Sequence, residues 1–117
     1  MWIFPSGMKV YLALGKTDMR KAVNGLSIIV SESLEQDPFS GHLFVFCNRR
    51  KNILKILYYD HNGFALWYKR LEKSVFRWPE NVSEVLEIDN RELFCLLQGM
   101  DINQPLAHKV EKYSSIY

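Results

Sequence analysis

Residues 37–79 read DPFSGHLFVFCNRRKNILKILYYDHNGFALWYKRLEKSVFRWP, and the alternation within this stretch decides the fold. Turn chemistry at 36–41 (QDPFSG) leads into four aromatic-rich apolar runs, 42–47, 53–59, 64–69 and 74–78. Each has the β-branched and aromatic content of a strand. The links at 48–52, 60–63 and 70–73 are short, and the second ends in Asn62-Gly63, the strongest short-range hairpin signal. Short links between adjacent strands imply an antiparallel meander. Trp78-Pro79 stops it.

On the N-terminal side, residues 9–14 alternate and carry Val10 and Tyr11, which reads as a further strand. Gly15-Lys16-Thr17 breaks it, and Thr17 is a good N-cap. Met19, Ala22, Val23, Leu26, Ile29, Val30 and Leu34 then recur at spacings of three and four, so the periodicity predicts an amphipathic helix over 18–35. Gly25 weakens that helix unless it permits close packing on a sheet. On the C-terminal side, 85–88 reads as an edge strand, and Asp89 or Asn90 caps a short helix over 91–98 with Gly99 at C′. Residues 101–117 have no periodicity and contain Pro105, so they read as a loosely held tail. The expected fold is α+β: an antiparallel meander of about five strands, one long N-terminal helix and a short C-terminal helix. It forms a single domain over 1–100.

A chain of 117 residues, 48% hydrophobic and 24% charged, is long enough to bury a core without disulfides or metal. Cys47 and Cys95 both lie in apolar runs and read as buried free thiols, which suits a reducing cytoplasm. The opening MWIFPSGMKVYLALG is interrupted by Pro5, Gly7 and Lys9 and resembles neither a signal peptide nor a membrane span. No apolar run reaches spanning length, so a cytoplasmic protein with no membrane partner is expected.

Charge is concentrated. Residues 49–77 hold eight basic side chains against Asp60 and Glu72, a local net of +6 in a chain of +2, while 80–117 carry a net of −4. In a meander the links at 48–52 and 70–73 share one end of the sheet. Arg49, Arg50, Lys51, Lys69, Arg70 and Lys73 then converge on one rim, where mutual repulsion favours a bound anion. Arg20 and Lys21 fall in the first turn of the expected helix, where cations oppose the macrodipole. They either complete a second anion pocket or point into solvent. On the strands, Leu54, Ile56 and Tyr58 with Phe64, Leu66 and Tyr68 form one expected face, the core. Lys55, Leu57 and Tyr59 with Ala65, Trp67 and Lys69 form the other. Trp67 and Tyr59 on that second face suit base stacking, and a covered face or a protein interface explains the same pattern.

Catalytic signals are weak. There is no P-loop, dinucleotide fingerprint, CxxC or HExxH, and His42, His61 and His108 are scattered. No spacing offers a metal site or calls for a cofactor, and Asp18, Asp60 and Glu72 are too few for two-metal phosphoryl transfer. No enzyme is expected.

Three blocks carry a family resemblance: VYLALGKTDMRKAVNGL (10–26), the stretch 37–79 quoted above, and LLQGMDI (96–102). In this order the chain resembles the TnpB-type accessory proteins, the second open reading frame products, of the IS sixty-six family of bacterial insertion sequences. Cys47 and Asn52 depart from the pattern, and the tail after Gln104 diverges. The resemblance implies a role in DNA transposition beside a separate, larger transposase that carries the cutting chemistry. It brings no catalytic residues with it, and it is unrelated to the RNA-guided nuclease that shares the TnpB name. The leading expectation is a nonenzymatic factor binding transposon-end DNA through the rim cations with Arg20, Lys21, Trp67 and Tyr59. The alternative is a protein-interaction module that binds the transposase or another accessory protein without touching DNA.

Overall fold

A computed structural model describes residues 4, 7–80 and 83–102. The expected tail from residue 103 onward, His108 included, lies outside the described residues. The elements are β1 (Val10–Lys16), α1 (Val23–Ile28), β2 (Leu43–Cys47), β3 (Ile53–Asp60), β4 (Gly63–Arg70), β5 (Val85–Ile88) and α2 (Asn90–Leu97). The five strands form one sheet in the order β4-β3-β2-β1-β5.

This sheet is mixed, which corrects the antiparallel meander. β2, β3 and β4 do form one, but β1 pairs with β2 in parallel, Val10 opposite Leu43 and Ala13 opposite Phe46. A connection that contains a helix can return the chain to the same end of the sheet, which a tight turn cannot. β5 then pairs antiparallel to β1 on the far edge, Val10 opposite Ile88. Residues 74–78 are not a strand. Phe76 and Trp78 are buried and Val75 and Arg77 exposed, so the alternation is real, but the segment crosses the end of the sheet. There Phe76 N–H donates to the Lys51 carbonyl at 2.7 Å.

Both faces of the sheet are covered. β2 reads LFVFC and is buried at every position, as a central strand between two packed layers must be. One core joins Leu12, Val45, Cys47, Leu54 and Ile56 to Phe76, Trp78 and to Leu93, Leu96 and Leu97 of α2. The other joins Tyr11, Phe44, Phe46 and Leu57 to Leu26, Val30 and Leu34. α2 is held by a capping box in which Asp89 accepts from Glu92 N–H at 2.7 Å and Glu92 accepts from Asp89 N–H at 3.0 Å. It ends at Gly99, whose φ of 81° suits glycine.

The expected long helix is replaced by a shorter one. α1 begins only at Val23 and passes at Ile29 into a wider π turn that ends at Ser33. Its start is delayed because Asp18 bonds locally to Arg20, and because Lys55 Nζ takes the carbonyls of Met19 (2.8 Å) and Lys21 (2.9 Å). Those carbonyls are the ones a helix from residue 18 needs for its own bonds. Thr17 is buried and caps nothing; its N–H extends the β1–β2 pairing to the Cys47 carbonyl at 3.0 Å. Ala22 stands at the N-cap without a side-chain bond. Nor does Gly25 serve sheet packing: a Cβ there would meet the Lys21 side chain at 3.2 Å.

The β3–β4 hairpin is tighter than its Asn-Gly signal implies. Asp60 pairs with Gly63, so the loop is His61-Asn62 alone, with His61 at φ 57°. Leu54, Ile56 and Tyr58 therefore share a face with Lys69, Trp67 and Ala65, and not with Phe64, Leu66 and Tyr68.

Candidate nucleic-acid interface

The loop after β2 is built by Asn48. Its Oδ1 accepts the N–H groups of Asn52 and Ile53, each at 3.0 Å, and its Nδ2 donates to Asn52 Oδ1 at 2.8 Å. Lys51 closes the turn through its N–H to the Asn48 carbonyl (3.1 Å), at a left-handed φ of 61°. Arg49 and Arg50 stand exposed on the crest, and neither has a side-chain partner among the described residues. At the same end of the sheet, Leu71 N–H reaches the Asn52 carbonyl at 2.8 Å, which brings Arg70 and exposed Lys73 alongside.

Arg49, Arg50, Lys51, Arg70 and Lys73 share this end of the sheet, with fewer free charges than expected. Arg70 Nε bonds Glu72 at 2.9 Å and Lys51 Nζ bonds Glu80 at 2.8 Å. Lys69 turns to the opposite face, where its Nζ donates to the Leu97 carbonyl at 3.0 Å and supports the C-terminal end of α2. Lys21 is exposed, while Arg20 is held by Asp18 with Nη2 2.6 Å from Oδ2. Because α1 starts at Val23, neither Arg20 nor Lys21 lies in a helical first turn.

The two aromatic candidates sit elsewhere. Trp67 is half-buried in the α2-side core, edge-on to Phe4 at 5.8 Å. Tyr59 lies at the hairpin end of β3, about 20 Å from the rim at the usual rise per residue. It packs against Phe39 and Phe64, each with ring centroids 5.2 Å away, and Phe39 is 60% exposed.

Residues 8–107 match the family described as IS66 Orf2 like protein. The chain belongs to the IS66 Orf2-like family. It is similar to two uncharacterized proteins of Sinorhizobium fredii (strain NBRC 101917 / NGR234). One is y4hO, 37% identical over 105 residues that cover 88% of this chain and 91% of the relative. The other is y4jC, 33% identical over 95 residues, 81% of each. No solved structure matches. The family makes this an accessory protein of an insertion sequence, associated with the transposition machinery.

Three rim residues of this IS66 Orf2-like protein escaped the sequence reading. Lys16 ends β1, and the parallel pairing sets it opposite Cys47, beside the Arg49 loop. Trp78 and Glu80 return to the same place after the chain crosses the sheet end. Together with Leu14, Arg49 and Lys51 they line a cavity of about 410 Å³ outside the carboxyl ends of β1 and β2. The signal that was available is the helix between β1 and β2, which calls for a parallel pair. The hydrogen bond from Lys51, its charge and that of Lys16 hold the Glu80 carboxyl below its ordinary range. Burial pushes the Cys47 thiol up to about 12, so it adds no negative charge to the cavity. Among the described residues, no group of three or more His, Cys, Asp or Glu side chains is placed to hold a metal, and no helix is long and apolar enough to cross a membrane.

Proposed function

We propose that the protein is a nonenzymatic, cytoplasmic accessory factor that binds nucleic acid at transposon ends, alone or in complex with its cognate transposase. The observation that carries this reading is the group of unpartnered cations at one end of the sheet. Arg49, Arg50 and Lys73 are exposed and form no ion pair among the described residues, and Lys16 stands beside them with its charge felt by the Glu80 carboxylate. Such a group holds together against its own repulsion most favourably when phosphates lie against it. Lys21 and the paired Arg70 and Arg20 extend the surface. Trp67 and Tyr59 do not belong to it, since one is in the core and the other is at the opposite sheet end.

The test is fluorescence anisotropy of end-containing duplex DNA over a salt series, with and without transposase. Wild-type binding is expected to fall steeply with salt, and Arg49→Ala/Arg50→Ala/Lys73→Ala together to abolish both binding and transposition. Salt-insensitive behaviour, with transposition intact in the triple variant, rejects the reading. The protein-interaction alternative draws on a separate observation, the exposed Phe39 packed on Tyr59 and Phe64. It predicts that Phe39→Ala releases the transposase at high salt and leaves DNA binding unchanged.

A further inference from the structure

The cavity outside the carboxyl ends of β1 and β2 differs from the solvent-facing rim. At about 410 Å³ it lies within the range of small-molecule sites. Lys16, Arg49 and Lys51 line it against a single carboxylate, that of Glu80. Two positive charges are thus left over in a concavity, which focuses their field. Lys51 is fixed there in a left-handed conformation, with its N–H on Asn48 and its carbonyl accepting from Phe76 N–H. A strained residue bonded on both sides is a pre-organised one.

A second observation is independent of the charges. Trp78 lines the same cavity and is 7% exposed, yet its buried indole N–H has no acceptor among the described residues. Buried donors are nearly always paired, so this one, on a residue that lines a cation-lined cavity, is short of an acceptor. We propose that this cavity is a phosphate subsite, in which a phosphate group binds among Lys16, Arg49 and Lys51 where the Glu80 carboxylate now sits, and that Glu80 is its displaceable plug. A phosphate monoester brings nearly two negative charges and three acceptor oxygens where Glu80 brings one charge. The Lys51–Glu80 pair is exposed and correspondingly weak. Only the source of the phosphate, a nucleic-acid strand or a free anion, rests on the function proposed above.

The test titrates the full chain with inorganic phosphate and, separately, with short single strands carrying a 5′-phosphate or a 5′-hydroxyl, and follows the Trp78 indole N–H by NMR. A saturable Trp78 shift is expected, tightened about fivefold by Glu80→Gln. Lys51→Asn, which tolerates the left-handed backbone, and Lys16→Gln are each expected to weaken it about tenfold. Lys9→Ala, an exposed lysine at the opposite end of β1, is expected to leave it unchanged. Preference for the 5′-phosphorylated strand assigns the site to strand ends; equal response to inorganic phosphate assigns it to a free anion. The subsite is overturned if no probe moves Trp78, or if Glu80→Gln leaves the affinity where it was. Salt-sensitive DNA binding without a Trp78 response rejects the subsite alone, whereas a Trp78 response without DNA binding rejects only the nucleic-acid reading.

Discussion

Asp18 takes the Arg20 backbone N–H at 2.9 Å and its guanidinium at 2.6 Å, and this one carboxylate decides how the 17–22 loop is charged. The side-chain bond from Arg20, then its backbone N–H and the charges of Arg20 and Lys21, lower the Asp18 carboxyl from 3.8 to about 2. Its contribution to the fold is therefore complete above pH 3.8 and is lost as pH falls toward 2. NMR titration of the Asp18 carboxyl is expected to show a midpoint near 2, raised toward 3.8 by Arg20→Ala, which removes the side-chain bond and charge and keeps the backbone N–H. A midpoint unmoved by Arg20→Ala contradicts the pairing. Cys47 has the opposite sign: burial raises it from 9.0 to about 12, so its contribution is full below pH 9.0 and lost as pH climbs toward 12. Iodoacetamide is expected to spare Cys47 in the folded protein at pH 8 and to label it on unfolding. The apolar runs around both cysteines made their burial legible. The Asp18–Arg20 pair is not legible in the sequence, because the helical period places both residues in a first turn that the structure does not form.

At the scale of elements, strand positions were read more securely than pairings. The alternation in 42–69 located β2, β3 and β4, and Asp89 with Gly99 bracketed α2. One residue of error in the hairpin then exchanged the faces of β4, because side chains change side at every step. The helical period over 18–35 was real, but carbonyls captured by Lys55 shortened the helix, and no propensity scale contains such a tertiary contact. The segment 74–78 shows the same limit, since a period of two describes any extended chain with one side buried. Phe76, 1% exposed, pins that segment over the sheet end and brings Trp78 and Glu80 to the cavity. Phe76→Ala is expected to cost about 3–5 kcal/mol in urea unfolding. It is also expected to release the Lys51–Glu80 pair, so the Glu80 carboxyl titrates higher. Loss of stability with the Glu80 titration unchanged would show that Phe76 does not place that residue.

For the whole molecule, the sheet topology sorts the cations into separate roles that composition cannot distinguish. The +6 of residues 49–77 reads as one patch, yet the β4 twist of one residue sends Lys69 to α2 and leaves Arg70 at the rim. Lys55 likewise holds the chain before α1, while Lys16, remote in sequence, joins the rim through parallel pairing. The fully buried LFVFC of β2 and the helix before it were together sufficient to indicate a sheet covered on both faces with a parallel pair. What no pattern held was the endpoint of each long side chain. Two single substitutions measure that sorting. Lys73 is exposed and unpartnered among the described residues, so Lys73→Ala is expected to leave stability unchanged and to reduce the salt slope of DNA binding by about 0.9. Lys69 caps the Leu97 carbonyl, so Lys69→Ala is expected to lower stability by about 0.3–1 kcal/mol and to leave the slope as it was. Denaturant unfolding and a salt series on both variants separate the two effects. If Lys69→Ala lowers the slope as Lys73→Ala does, the nucleic acid reaches the α2 face and the division of the cations by the sheet is wrong.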